Sequence, residues 1–365
     1  MSTLTIQKGR ILIYRLFDVA QEINLSLVEK KAASSKRLRL SKLPHTKAIE
    51  FTNPPVSFEL PPYTTGIFDE ELTVTVLARA YDFGVMSIVF DIPIPENTTF
   101  ARLEEVSKSL DMNAELEAKA RLYVHQAVDG LGPNVINREI KENLVEDYMI
   151  FYLEALGKDL TADELLEQYD PSKLLLYETR KISPSTRNET LKHSFSYFPN
   201  DLIIIHIDNA FIIEPTGSFD LPDLLEFANA QIFEMRYYDN LIDKHMQAIY
   251  SELSKGGLSY FSLRRYERFA KKISRTITDI TEVTEKIDNS LKVTKDVYYA
   301  RIYRRFMDLS RSMDWEASIK GKLQIIMNTN KMLYDEILAK RAYILELSIV
   351  ILIAIEIVLI LMGKM

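Results

Sequence analysis

The distribution of proline constrains the fold of this chain more than any other feature of its sequence. All 13 prolines lie at or before Pro222, and the 143 residues after it contain only four glycines. Proline breaks an α-helix and glycine weakens it. The sequence therefore predicts a turn-rich front part that ends near residue 217 and a long helical back part.

The composition of the whole chain excludes several classes of protein. Its 365 residues are 47% hydrophobic and 27% charged, which is typical of globular proteins and not of disordered or fibrous chains. The absence of cysteine excludes disulfides, thiolate catalysis and cysteine-ligated zinc or iron–sulfur centres. The net charge of −7 argues against nucleic-acid binding by overall electrostatics, and five histidines do not suggest a His-rich metal site. We expect no cofactor.

The front part combines predicted strands with predicted helices. Apolar runs indicate strands, and the Asp82-Phe83-Gly84 and Asp208-Asn209 segments are typical of hairpin turns. The predicted strands are 10–17, 72–80, 85–92, 174–177, 193–198 and the two arms of a hairpin over 202–214. The predicted helices are 99–128, 137–156 and 162–169. We expect a mixed α/β domain, whose strand order the sequence does not determine.

A basic segment follows the first predicted strand. Residues 30–47 are rich in Lys and Arg and contain no acidic residue, which is compatible with binding to RNA or to anionic lipid. A solvated loop is the alternative, because no aromatic side chain is interleaved to stack on bases. The candidate binding residues are Lys30, Lys31, Lys36, Arg37, Arg39 and Lys42.

The back part predicts long antiparallel helices that pack as a coiled coil. The first helix begins near Pro222 and ends at Gly256-Gly257, and apolar residues recur along it every three or four positions. The second helix gives way to the third between Asp288 and Asp296. If the third helix runs unbroken from Tyr298 to Met362, it is on the order of 100 Å long.

Three polar residues fall in the apolar seam of the third helix. They are Glu316, Lys320 and Asn330. Polar residues in such a seam can set register or partner choice at a cost in stability. The alternative is that they face the aqueous rim.

The end of the chain is apolar on every side. Residues 342–362 read AYILELSIVILIAIEIVLILM, in which 18 of 21 residues are apolar if tyrosine is counted. At about 1.5 Å per residue they cover roughly 31 Å, close to the hydrocarbon thickness of a bilayer. The sequence predicts a transmembrane anchor, and a buried bundle helix is the alternative. The predicted domains are thus a mixed α/β domain over 1–217, a coiled-coil stalk over 218–341 and an anchor over 342–362.

Two glutamates interrupt the apolar stretch. Glu346 lies near its start, at the depth of the lipid headgroups, whereas Glu356 lies deep within it. An ionisable residue inside a membrane is costly and usually faces a partner. We therefore predict that Glu356 lies at a helix–helix interface of a homo-oligomer. The alternative is a single tolerated charge that snorkels towards the C-terminal end.

The beginning of the chain and the charges beside the anchor predict its orientation. The segment MSTLTIQKGR has neither the apolar core nor the cleavage site of a secretory signal. Lys331, Lys340 and Arg341 precede the anchor, and Lys364 follows it. By the positive-inside rule, we expect the N-terminal domain to lie in the cytoplasm.

Motifs of the common enzyme classes are absent from the sequence. It contains no GxxxxGK[ST], GxGxxG, HExxH or GxSxG motif. His206 and Asp208 are expected on one face of a strand, where such a pair can bind a metal or move protons. Paired residues of this kind are common by chance. We identify no small-molecule substrate.

Several segments of the back part resemble a known family. They are the Leu225–Gln231 segment, the Arg-containing helix over 303–311, and the tail pattern of Leu345-Glu346, an apolar run and Glu356. Together these segments, over roughly residues 200–362, resemble the YagE-like family, which is named after a "required for meiotic nuclear division" protein. The aromatic residue that usually follows the first tail glutamate is Leu347 here. The resemblance implies a membrane-anchored, self-associating protein with an α/β front domain, and a ribosomal partner by analogy with mitochondrial members.

These observations lead to one preferred function and two alternatives. We expect a non-enzymatic, tail-anchored scaffold that self-associates and presents its front domain to a partner such as RNA or the translation machinery. The first alternative is a membrane-anchored enzyme or nuclease with a site around His193, His206 and Asp208. The second is an organiser of anionic lipid that acts through residues 30–47.

Overall fold

The computed structural model describes most of the chain. The described residues are 4–31, 36–37, 49–51, 53–111, 113–254, 263–289, 291–293 and 296–362. They group into two compact units. The sheet unit comprises Met1–Glu234 and Lys286–Met313, and the helical unit comprises Met235–Glu285 and Asp314–Met365. The predicted division at 217/218 and 341/342 stays a prediction.

The strands of the described residues are numbered in chain order. They are β1 Thr5–Asp18, β2 Glu22–Ile23, β3 Lys36–Arg37, β4 Ile49–Phe51, β5 Val56–Thr65, β6 Leu72–Ala80, β7 Val85–Pro93, β8 Thr98–Thr99, β9 Val135–Ile136, β10 Val145–Leu156, β11 Ser194–Phe195, β12 Leu202–Ile205, β13 Asn209–Ile213 and β14 Leu291–Val293.

The helices are numbered in the same way. They are α1 Leu25–Lys31, α2 Phe100–Leu110, α3 Ala114–Leu131, α4 Ala162–Gln168, α5 Ser172–Leu175, α6 Pro184–Leu191, α7 Asp220–Ser254, α8 Leu263–Asn289, α9 Val297–Leu309 and α10 Ser312–Met362.

Ten of the described strands form the large sheet of the sheet unit. Their order is β11-β12-β13-β10-β1-β7-β6-β5-β3, and β8 pairs with the start of β1. All of these pairs are antiparallel except β10 with β13. The central strand β1 pairs Ile11 with Phe151 on one side and with Ile92 on the other. Its near-continuous apolar sequence fits a strand that is buried on both faces.

Both faces of the sheet are covered within the sheet unit. On one face, Ile11 and Ile13 of β1 share a core with side chains of α2 and α3 such as Leu103 and Val124. On the other face, the ring of Phe306 in α9 lies 5.5 Å from the ring of Tyr148 in β10. The first turns of α7 also lie on that face, as the next contacts show.

A buried ion-pair cluster joins β6 to α7. The Arg79 guanidinium donates to the Asp223 carboxylate at 2.7 Å and also to the Glu226 carboxylate, and all three side chains are buried. Burial raises the pKa of Asp223 and of Glu226, and the positive charge of Arg79 opposes that rise. Because each partner compensates the burial of the others, the cluster fixes the first turns of α7 on the sheet.

The structure confirms the coarse fold that the sequence predicts. A mixed α/β domain comes first, helices follow, and the last helix ends in a long apolar segment. The hairpin between 72–80 and 85–92 is formed, and its turn includes Gly84 at a φ of 97°. A side chain there would collide with the backbone of Ala20, so the turn requires glycine.

Four predicted elements differ from the structure. Residues 137–156 are not a helix, because their second half is the buried strand β10, and 174–177 are not a strand, because α5 occupies part of them. The helix predicted over 99–128 is two helices, the second capped by the Asn113 side chain. The helix predicted from Tyr298 to Met362 is interrupted at Arg311, whose φ is 55°.

Removal of the buried guanidinium tests the ion-pair cluster. We expect Arg79→Met to lower the free energy of unfolding by about 3–5 kcal/mol, because it leaves two carboxylates buried without their cation. Arg102→Met is the matched control, since Arg102 forms exposed ion pairs with Asp69 and Glu105 and its loss should cost under about 0.5 kcal/mol. The measurement is urea denaturation of the full chain in mild detergent. Equal midpoints for the two variants would contradict the role of the cluster.

Candidate membrane-anchoring segment

The helical unit buries one stripe of apolar residues on each of its helices. Ile242 and Ile249 of α7 are seven residues apart, as are Ile273 and Ile280 of α8. Buried residues of α10 recur in the same way at Ile319, Ile326 and Leu333, and buried Ile337 follows one helical turn later. A spacing of seven places these side chains along one side of each helix, facing its neighbours.

Polar contacts fix the directions of the helices in this unit. Ser318 donates to Asp239 at 2.6 Å and Lys322 pairs with Asp243 at 2.7 Å, so α10 and α7 run in parallel. Asn330 donates to Ser274 at 2.9 Å.

A second contact between α10 and α8 shows that these two helices are antiparallel. The Arg341 guanidinium donates two hydrogen bonds to Glu267, at 2.6 and 3.1 Å. Eleven positions forward on α10, from Asn330 to Arg341, thus correspond to seven positions backward on α8, from Ser274 to Glu267. The beginning of α8 therefore lies beside the last residues of α10 that make contacts in the unit.

The polar residues of the predicted seam have different environments. Asn330 is buried and hydrogen-bonded to Ser274, so it lies within the packed interface between α10 and α8. Glu316 and Lys320 form an ion pair one helical turn apart, with the lysine side chain 61% exposed. The burial of Asn330 fits a residue that sets the register of the helices. The exposure of Glu316 and Lys320 fits the alternative, a position at the aqueous rim.

Beyond Arg341, α10 continues without protein around it. Every residue from Leu345 to Met362 is exposed. The large apolar side chains from Leu345 onward are 46 to 71% exposed. Among the described residues, α10 is the one helix that is long and apolar enough to cross a membrane.

Exposure of these apolar side chains to water costs free energy. Burial of a large aliphatic side chain is worth roughly 1.5–3 kcal/mol relative to water. Fourteen such side chains in one continuous surface represent a cost on the order of tens of kcal/mol. Soluble monomers rarely expose apolar patches of this size, so an apolar environment must cover this one.

The two glutamates of the segment are both exposed. Glu346 and Glu356 are ten residues apart on one helix, so they lie about 15 Å apart along its axis and about 80° apart around it. They therefore cannot share one narrow contact. Their predicted place at a membrane or oligomer interface stays a prediction.

The structure describes only part of the predicted basic patch. Lys30 is exposed near the end of α1, Lys31 ends that helix, and Lys36 and Arg37 form the edge strand β3. Arg39 and Lys42 lie outside the described residues. Binding by this patch stays a prediction.

The histidines of the alternative enzyme site lie in loops of the sheet unit. His206 and Asp208 are in the turn between β12 and β13, and not on one face of a strand as the sequence predicts, because β12 ends at Ile205. Burial lowers the pKa of His206 and of His193, and neighbouring positive charge, Arg305 first, lowers the pKa of His193 further. In the described parts of the chain, no three His, Asp or Glu side chains are grouped so that they could hold a metal ion.

Sequence reasoning missed the buried cluster of Arg79, Asp223 and Glu226. The available signal was the pair of acidic residues within the apolar first turns of α7. It also missed the Arg341–Glu267 contact, which joins residues 74 positions apart and leaves no local pattern.

Comparison with known proteins identifies a family for most of the chain. Residues 8–220 match the family model described as "Uncharacterized protein MJ0711, N-terminal domain". The uncharacterized protein MJ0711 of Methanocaldococcus jannaschii is 26% identical over 290 residues, which cover 73% of this chain and 86% of that protein. Because this match is longer than the segment 8–220, the similarity reaches beyond that segment. No solved structure matches the chain.

The resemblance to the YagE-like family is therefore wrong. The family model covers the front part, which the resemblance did not align, and it describes a different family. A glutamate-containing apolar tail behind long helices is a pattern that unrelated proteins can share, because general constraints of helix packing and apolar surroundings favour it. The expectation of a ribosomal partner rested on that resemblance alone and is therefore no longer supported.

Adjacent isoleucines of α10 test the packing of the helical unit. Ile326 is 2% exposed, whereas Ile325 is 46% exposed. We expect Ile326→Ala to lower the free energy of unfolding of this unit by about 2–5 kcal/mol, because it leaves a cavity. Ile325→Ala is the matched control and should cost under about 0.5 kcal/mol. The measurement is circular dichroism during urea denaturation, and equal losses in the two variants would contradict the described packing.

Proposed function

The chain belongs to the family described as "Uncharacterized protein MJ0711, N-terminal domain", and we propose that it is a non-enzymatic membrane scaffold. In this proposal the C-terminal part of α10 anchors the protein in a membrane. The helices of the helical unit form a stalk, and the sheet unit is presented to a partner in the aqueous compartment.

The exposed apolar end of α10 carries this proposal. Residues 342–362 have the length of a bilayer's hydrocarbon core, at roughly 31 Å. Lys340 and Arg341 precede them, at the depth where basic side chains meet lipid headgroups, and Tyr343 is suited to the interface. These basic residues support an orientation with the sheet unit on the cytoplasmic side.

The stalk is proposed to pack as a coiled coil. The seven-residue spacing of buried residues on α7, α8 and α10 supports this packing. So does Asn330, because a polar residue at a single buried position is a common means of fixing register.

Self-association is proposed to occur through the anchor. Glu356 lies deep in the apolar segment and is exposed there, so a second copy of this helix is the most direct source of a polar partner. A scaffold that assembles in this way would present several sheet units on one membrane surface.

Arginine substitution on the apolar segment tests the anchor. We expect Leu352→Arg/Leu359→Arg to release the protein from membranes, because two buried guanidinium groups cost roughly 5–7 kcal/mol on insertion scales. The matched control is Met332→Arg/Leu338→Arg, which changes two exposed residues of the same helix outside the segment. The measurement is the fraction that resists alkaline extraction. Release of the unmodified full chain, or of both variants alike, would contradict the anchor.

Glutamate substitution tests self-association. We expect Glu356→Leu to raise the monomer fraction at least several-fold, because the polar contact within the membrane is lost. Glu346→Leu, at the start of the segment, makes the same chemical change and should leave the monomer fraction unaltered. Single-molecule photobleaching in vesicles measures the copies per complex. An unchanged distribution for Glu356→Leu would remove its interface role.

A further inference from the structure

The charges of α8 are divided sharply between its two halves. Residues 264–275 contain six basic residues and one acidic residue, Glu267. Residues 276–289 contain four acidic residues and one basic residue, Lys286. One half of this helix therefore carries strong positive charge, and the other half carries negative charge.

The helix packing places the basic half beside the apolar segment of α10. Glu267 accepts hydrogen bonds from Arg341, and Ser274 lies further back beside Asn330. At about 1.5 Å per residue, Arg264 and Arg265 lie about 3–5 Å beyond Glu267 in the direction of the apolar segment. The acidic half of α8 extends the opposite way.

Together with the last basic residues of α10, the five basic residues of α8 nearest the apolar segment form what we name the basic collar. Among its described side chains, Arg268, Lys271, Lys272 and Arg341 are exposed. The apolar residues between them, Ala270 and Ile273, are buried, so the polar side of α8 carries the charge. The members of the collar are Arg264, Arg265, Arg268, Lys271, Lys272, Lys340 and Arg341.

We propose that the basic collar is a binding surface for the headgroups of anionic lipids. The inference rests on the proposed anchor, because α10 brings the collar to the membrane surface only if residues 342–362 lie in the bilayer. Each basic residue close to an anionic surface strengthens binding by roughly fivefold. That attraction extends over a screening length of about 8 Å at physiological salt, so the collar residues nearest the apolar segment contribute most.

Position favours lipid over nucleic acid as the occupant. Both carry phosphate, but the collar lies next to an apolar segment as long as a bilayer is thick, where headgroup phosphates are held in place at high local concentration. The protein would thus select the lipids around its own anchor.

Lipid selectivity of the reconstituted full chain tests this proposal. The protein is inserted into phosphatidylcholine vesicles that contain a minority of phosphatidylglycerol, with a trace of either lipid carrying a spin label. Electron paramagnetic resonance then measures the fraction of each label that the protein immobilises. We expect a several-fold preference for phosphatidylglycerol that disappears at high salt.

Two variants with the same change of charge locate the effect. We expect R264Q/R265Q to reduce the preference several-fold, because it removes the two collar residues placed nearest the bilayer. K244Q/K320Q is the matched control and should retain the preference, since Lys320 precedes Arg341 by 21 residues, or roughly 32 Å of helix, and Lys244 lies beside Asp243 at the same end.

The outcomes separate this proposal from the anchor on which it rests. If the anchor is wrong, neither lipid label is immobilised and the protein does not float with vesicles. If the anchor is right and the collar does not bind anionic lipid, both labels are immobilised equally, or R264Q/R265Q behaves like the unmodified protein. Retention of added single-stranded RNA on neutral vesicles, without lipid preference, would assign the collar to nucleic acid instead and overturn the proposal.

Discussion

The hydrophobic effect at the end of α10 is the constraint on which the rest of the account depends. One side of this helix is buried as far as Ile337 by α7 and α8. From Leu345 to Met362 every residue is exposed, and all but Glu346, Ser348 and Glu356 are apolar. The two parts of this helix thus require two different environments. Its first part needs protein partners because it is amphipathic, and its last part needs an apolar medium because it has no polar side.

The helical unit is organised around the point where these two parts meet. Arg341 and Glu267 form their ion pair one turn beyond the last buried residue of α10, and the basic half of α8 begins there. Basic residues lie beside the apolar segment, and the acidic half of α8 lies away from it. A membrane surface with anionic lipids attracts the first and repels the second. The proposed anchor and the proposed lipid surface therefore follow from one arrangement of helices.

Local sequence patterns predict part of this structure. The hairpin around Gly84 and the apolar end of α10 have local signals, because turn chemistry and uninterrupted apolarity need no distant partner. Strand β10 was predicted as a helix, since an apolar run does not reveal its period when both faces are buried. The pairing of β10 with β13, the cluster around Arg79 and the register of α8 against α10 depend on contacts between distant residues, which one sequence does not display.

The measurement that tests the central claim most directly is cysteine accessibility along α10. The chain has no cysteine, so single substitutions give an unambiguous label site. In sealed vesicles with the sheet unit outside, a membrane-impermeant maleimide should label L338C, should leave L352C unlabelled until detergent is added, and should label K364C only after the vesicles are opened. Equal labelling of all three positions in sealed vesicles would contradict a membrane-spanning α10.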